Sequence, residues 1–169
     1  AAAVLPDRTL PEDFVEQLLR RAEGNPLFIE ELAKSVVEAL RAEDGAATDS
    51  RHLDRLLHVV PTSLRDLLAE RLDRLGPARE TAQAAAVIGQ EFDQRLLGAI
   101  TGSGDQGKRH LAQLIESQVV VWRGADMATS YAFRHALIQE AAYQSLLKRE
   151  RRSLHQRIAE SLERGVVPE

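Results

Sequence analysis

Apolar residues recur at helical spacing through almost the whole chain, and no other feature limits its fold so tightly. Phe14, Leu18 and Leu19, then Phe28, Leu32, Val36 and Leu40, then Leu64, Leu67, Leu68, Leu72 and Leu75 follow a period of about 3.6 residues. The pattern turns β-prone once. Val119-Val120-Val121-Trp122 and Ser130-Tyr131-Ala132-Phe133 flank Gly124-Ala125-Asp126-Met127-Ala128, the layout of a hairpin. The expected fold is mainly α, with an N-terminal helical segment, a winged helix carrying one β-hairpin, and a C-terminal helical pair.

Turn and cap residues divide the pattern. A first helix is expected from Pro11 to about Glu23, with Gly24 as its stop; Asn25 then caps a second helix that has Pro26 at its donor-free first position. From Arg41 to Val60 the period dissolves into small polar residues that bury too little apolar area to hold one conformation. Ser63 and Asp66 stand at capping spacing before a helix to Leu75, and Gly76-Pro77 leads into an Ala-rich helix to Ile88. Asp93 can cap a short helix through Ile100, another is expected over Gln106 to Ser117, and the last two over His135 to Leu147 and Glu150 to about Glu163. The expected organisation is a helical segment over 1–42, a flexible linker over 43–60, a winged helix over 61–134 and a helical pair over 135–169 leading toward helical repeats.

Composition removes several classes of function. The 169 residues include no Cys, which excludes disulfide frameworks, thiol catalysis and Cys-ligated zinc. A net charge of −4, with one Trp, two Tyr and four Phe, gives no overall attraction to a polyanion and little base stacking. No apolar run approaches the ~20 residues that cross a bilayer and no basic-then-apolar leader opens the chain, so no membrane partner and a cytoplasmic location are expected.

Candidate chemical motifs are few. Gly102-Ser103-Gly104-Asp105-Gln106-Gly107-Lys108-Arg109 has the glycine and lysine spacing of a phosphate loop, but Arg109 stands where a hydroxyl would hold Mg²⁺ and no parallel sheet is expected around it. The histidines at 52, 58, 110, 135 and 155 include no pair at metal spacing with a carboxylate, and Ser103 lacks the strand-to-helix elbow of a hydrolase nucleophile. No catalytic residue and no metal site is expected. Lys148, Arg149, Arg151, Arg152 and Arg157 form a basic run around Glu150 that reads as a solvated helix face. A DNA-binding winged helix would present Lys108, Arg109 and Gln113 to the major groove and Arg123 to phosphate, with Glu116 and Asp126 opposing. His135 stands where strand gives way to helix, so its ring can lie over N–H dipoles that attract an anion, while a structural histidine is the reading the residues alone favour.

Three blocks carry a family resemblance: Gly24-Asn25-Pro26-Leu27-Phe28-Ile29-Glu30-Glu31-Leu32, Val60-Pro61-Thr62-Ser63-Leu64-Arg65-Asp66-Leu67-Leu68, and Phe133-Arg134-His135-Ala136-Leu137-Ile138-Gln139-Glu140-Ala141-Ala142-Tyr143. In this order they resemble the STAND signal-transduction ATPases, and in particular bacterial forms joined to an adenylate/guanylate cyclase or a LuxR-type DNA-binding domain. The resemblance implies that residues 1–42 are a helical lid in which Gly24-Asn25-Pro26 meets the nucleotide base. It implies that the family's Met-His-Asp motif falls on Phe133 or Arg134, His135 and Ala136, with the histidine reaching the β-phosphate of ADP and Ala136 standing in place of the aspartate.

The implied nucleotide-binding residues are thus Asn25, Pro26, Arg134 and His135. The implied cofactor is ADP or ATP in a full-length protein, with none expected on the isolated fragment, because phosphate loop, Mg²⁺-binding acid and arginine sensor belong upstream in the family. The expected function is a regulatory lid and winged helix that sense ADP or ATP and signal to an attached cyclase or transcriptional regulator, not an enzyme in itself. Its expected partners are the upstream nucleotide-binding core and downstream helical repeats of the same chain. Two readings from other classes stay open: a DNA-binding winged helix and a helical protein-interaction scaffold.

Overall fold

A computed structural model describes residues 10–42, 61, 63–102, 104–123 and 130–165. The expected linker over 43–60, Thr62, Ser103 and the expected hairpin loop from Gly124 to Ala128 lie outside the described residues. The described chain is mainly helical, with one small antiparallel sheet. It forms two compact units, Ala1–Leu68 and Ala69–Glu169.

In the first unit, helix α1 (Glu12–Ala22) follows Pro11, with acids Glu12 and Asp13 in its first turn and Arg20 and Arg21 in its last, each matching the helix dipole. Glu23 at φ 48 and Gly24 at φ 76 take the left-handed turn that ends it. Asn25 Oδ1 then accepts from the Leu27 and Phe28 amides at 3.1 and 3.3 Å and so starts α2 (Pro26–Ala42). Phe14, Ala22, Phe28, Leu32, Val36 and Leu67 form the buried cluster of this unit. Glu31 is also buried, 3.1 Å from Lys34, which bonds Glu30 as well.

Helix α3 (Leu64–Asp73) opens at Ser63, whose Oγ accepts from the Asp66 amide at 3.1 Å, and the division between the units falls inside it. The second unit continues with α4 (Ala78–Ile88), β1 (Glu91–Asp93), α5 (Gln94–Thr101), α6 (Asp105–Glu116), β2 (Val120–Trp122), β3 (Ser130–Phe133), α7 (Ala136–Gln144) and α8 (Lys148–Glu163). Ala78, Ala82, Ala84, Ala85 and Ala86 are all buried in α4, which packs against α5, α6, α7 and α8. Side chains of one carbon leave room for several neighbours around a single helix.

The sheet order is β1-β3-β2, antiparallel throughout. Beside the expected hairpin, the structure adds β1, which pairs Phe92 with Tyr131 across the sheet. Three residues with a single large apolar side chain leave no alternation to read in advance. The Phe92 ring stacks on Tyr131 with centroids 6.0 Å apart and tilts against Phe133 at 5.9 Å. Asp93 ends β1 and caps α5, its Oδ1 accepting from the Arg95 amide at 2.6 Å.

Replacing Asn25 by Ala removes the acceptor for two amides and should cost about 1 kcal/mol. Hydrogen exchange of the Leu27 and Phe28 amides should quicken in that variant while the amides of α6 stay as protected as before.

Candidate functional site

The junction between β3 and α7 is built from both sides. Phe133, the last strand residue, is almost fully buried. Its amide donates to Gln90 O at 2.9 Å, while the Gln90 side-chain amide donates back to Phe133 O at 2.8 Å. The Arg134 amide donates to Val119 O at 3.0 Å, so the chain leaves the sheet held on two edges. His135 comes next in extended geometry, φ −140 and ψ 141, as the residue preceding α7. Its carbonyl accepts from the amides of Ile138 and Gln139.

Helix α7 is in turn fastened to α4. Ile138 and Ala142 are buried, Gln139 Nε2 donates to Ala86 O at 2.8 Å, and Gln83 Nε2 donates to Ser145 Oγ at 2.8 Å. No side chain caps the start of α7, and its first turn holds no acid. Helix geometry leaves the Ala136 and Leu137 amides without an acceptor inside the helix. Exposed Arg134 and half-buried His135 stand beside this positive helix end. The chemistry on offer is anion binding through backbone N–H groups and a cation.

Asn25 and Pro26 belong to the first unit and are exposed at the joint of α1 and α2. Asn25 Oδ1 is committed to the two amides it caps. Arg134 and His135 belong to the second unit. The four residues therefore form two adjacent pairs, one at each of two helix starts.

Other sequence candidates resolve as structure. Gly102 at φ 100 closes α5, and a Cβ on Gly107 would lie 2.9 Å from Gly102 O. The glycine spacing that resembles a phosphate loop thus serves a close approach between the end of α5 and the first turn of α6. His110 Nδ1 lies 2.9 Å from Thr81 Oγ1, a bond between α6 and α4. Gln113, a candidate base reader, donates instead to Leu75 O at 3.0 Å, and Arg71 donates to Ser117 O at 2.6 Å. Lys108, Arg109 and Arg123 are exposed. His52 and His58 lie outside the described residues. Among the described residues, no group of three His, Cys, Asp or Glu is placed to hold a metal ion, and no helix is long and apolar enough to cross a membrane. The bonds made by Gln90, Gln83 and Gln139 are not marked by the sequence, because a single glutamine carries no periodic signal and its partner is distant along the chain.

Comparison with known proteins gives two matches. Residues 5–47 match a family described as a domain of unknown function (DUF8739). The uncharacterized protein R02095 of Rhizobium meliloti (strain 1021) is 35% identical over 150 residues, which cover 86% of this chain. The chain spans only 14% of the length of that curated relative. No solved structure matches the chain.

An acid at position 136 would sit in the first turn of α7, facing its uncompensated amides. Ala136→Asp should therefore stabilise the second unit by about 0.3–1 kcal/mol at low salt, less at high salt. Thermal melts at two ionic strengths check both the sign and the salt dependence.

Proposed function

We propose that the chain is the regulatory portion of a longer signal-transduction ATPase, a helical lid followed by a winged helix, which reads the nucleotide held by the ATPase core and passes that state to an attached effector. The observation that carries this reading is the β3–α7 junction, where His135 precedes an uncapped helix start with Arg134 at its side. Anionic oxygens are stabilised at such a place by backbone N–H groups and by the helix dipole.

Two further observations support it. The order α4, β1, α5, α6, β2, β3 with sheet order β1-β3-β2 is the helix and strand order of a winged helix. The chain also spans a small part of a much longer relative, which fits a module working inside a larger protein. On this reading ADP or ATP is the ligand, Asn25-Pro26 meets the base, Arg134 and His135 meet the phosphates, and ATP hydrolysis belongs to the core. The protein works in the cytoplasm, where nucleotide is plentiful, and its output is a cyclase or a transcriptional regulator.

The DNA-binding alternative is less favoured, since the side-chain amide of Gln113 is already engaged by Leu75.

A nucleotide can switch such a protein only through unequal affinity for two states. In the longer protein that carries this chain, His135→Ala should weaken ADP binding about tenfold or more, the scale of one charge-assisted hydrogen bond, and raise effector output without ADP-dependent restraint. Calorimetric titration with ADP measures the first effect. An unchanged affinity would remove His135 from the proposed role.

A further inference from the structure

Both fastenings of the β3–α7 junction converge on one short stretch of chain, the C-terminal end of α4. On the strand side, the Gln90 main-chain oxygen accepts from the Phe133 amide at 2.9 Å, and the Gln90 side-chain amide donates to Phe133 O at 2.8 Å. On the helix side, Gln139 Nε2 donates to Ala86 O at 2.8 Å. Residues 86–90 thus hold the residue just before Arg134 and the helix turn just after His135.

Gly89 makes this convergence possible. Its amide donates to Ala85 O at 3.1 Å and closes α4, and its backbone, at φ 152 and ψ −169, lies in a region open essentially to glycine. The chain turns there from helix toward β1, and Gln90 emerges beside the end of β3. Gln90 is exposed and Gln139 half-buried, so each side-chain bond adds only about 1 kcal/mol or less to folding. Together they order the dipeptide that lies between them, and a ligand needing fixed geometry gains when that ordering is already done.

We propose that Gln90 and Gln139 are positioning residues for anion binding at the junction, with the end of α4 as their common mount. That role rests on the reading of Arg134 and His135 as the phosphate contact. Neither glutamine need touch the ligand; both act through His135 and the first amides of α7. By linkage, whatever order the mount lends to ADP binding, bound ADP returns to the mount.

A second bond between the same two helices supplies a control. Gln83 Nε2 donates to Ser145 Oγ at 2.8 Å, beyond the far end of α7, and takes no part in holding the junction.

In the longer protein that carries this chain, calorimetric titration with ADP should show affinity lowered about threefold by Gln90→Ala or by Gln139→Ala, and about tenfold by the two together. Gln90→Met and Gln139→Met, which keep the length of the side chain and remove its donor, should act in the same way. Gln83→Ala should leave the affinity unchanged, and all variants should melt cooperatively. In a His135→Ala background the paired substitution should cost only about threefold, because part of its effect passes through His135. Exchange of the Gly89 amide should slow when ADP binds. An affinity unmoved by the Gln90 and Gln139 variants, while His135→Ala weakens it, overturns the positioning role and leaves the phosphate contact standing. An equal loss from Gln83→Ala, or the full tenfold loss persisting without His135, also overturns it, since general loosening of the second unit would then be the cause. An affinity unmoved even by His135→Ala removes the phosphate contact, and the positioning role with it.

Discussion

The second unit depends on the absence of side-chain bulk along α4. Alanines at 78, 82, 84, 85 and 86 are buried, and four other helices pack around that one helix. A helix of larger residues would push those neighbours outward, and the core could keep its density only by rearranging. Close approach also brings α4 within reach of side chains on its neighbours: Gln139 of α7 donates to Ala86 O, and His110 of α6 meets the Thr81 hydroxyl. Burial without these partners would leave polar groups unsatisfied, which costs more than the bond itself returns in water.

From α4 the constraint passes to β3. This central strand pairs on both sides, with β1 and with β2, and Phe92, Tyr131 and Phe133 bring their rings together over it. Gln90, one residue before β1, closes the strand end by two reciprocal bonds to Phe133. The connection from β3 to α7 is therefore not a loose one. Arg134 and His135 are delivered to the start of α7 by a strand fixed on one side and a helix fixed on the other. Anion binding gains from such preorganisation, since little ordering remains to be done when the ligand arrives.

Much of this architecture is legible in the residues. Helical periodicity places every described helix to within a few residues, and the Asn25, Ser63 and Asp93 caps are bonded as their residue types demand. The β-hairpin is legible from two β-prone runs; its third strand is not, since Glu91-Phe92-Asp93 has one apolar side chain and takes its conformation from β3. The glutamine bonds are invisible for a different reason: a bond from Gln90 to Phe133 joins residues 43 apart, and nothing local marks it. Gly107 resembles part of a phosphate loop because glycine spacing records where backbone must come close, whether to a phosphate or to another turn of chain. The candidate site itself comes from a resemblance and not from periodicity. At the place where the resemblance puts His135, the structure has a helix start with no side-chain cap.

On the proposed reading, nucleotide touches this chain at the starts of α2 and α7. Hydrogen exchange on the longer protein, with and without saturating ADP, tests that claim directly. The account predicts slower exchange at the Ala136 and Leu137 amides of α7 and at the first turn of α2, with α6 unchanged. Equal exchange at Ala136 and Leu137 in the two states would contradict it.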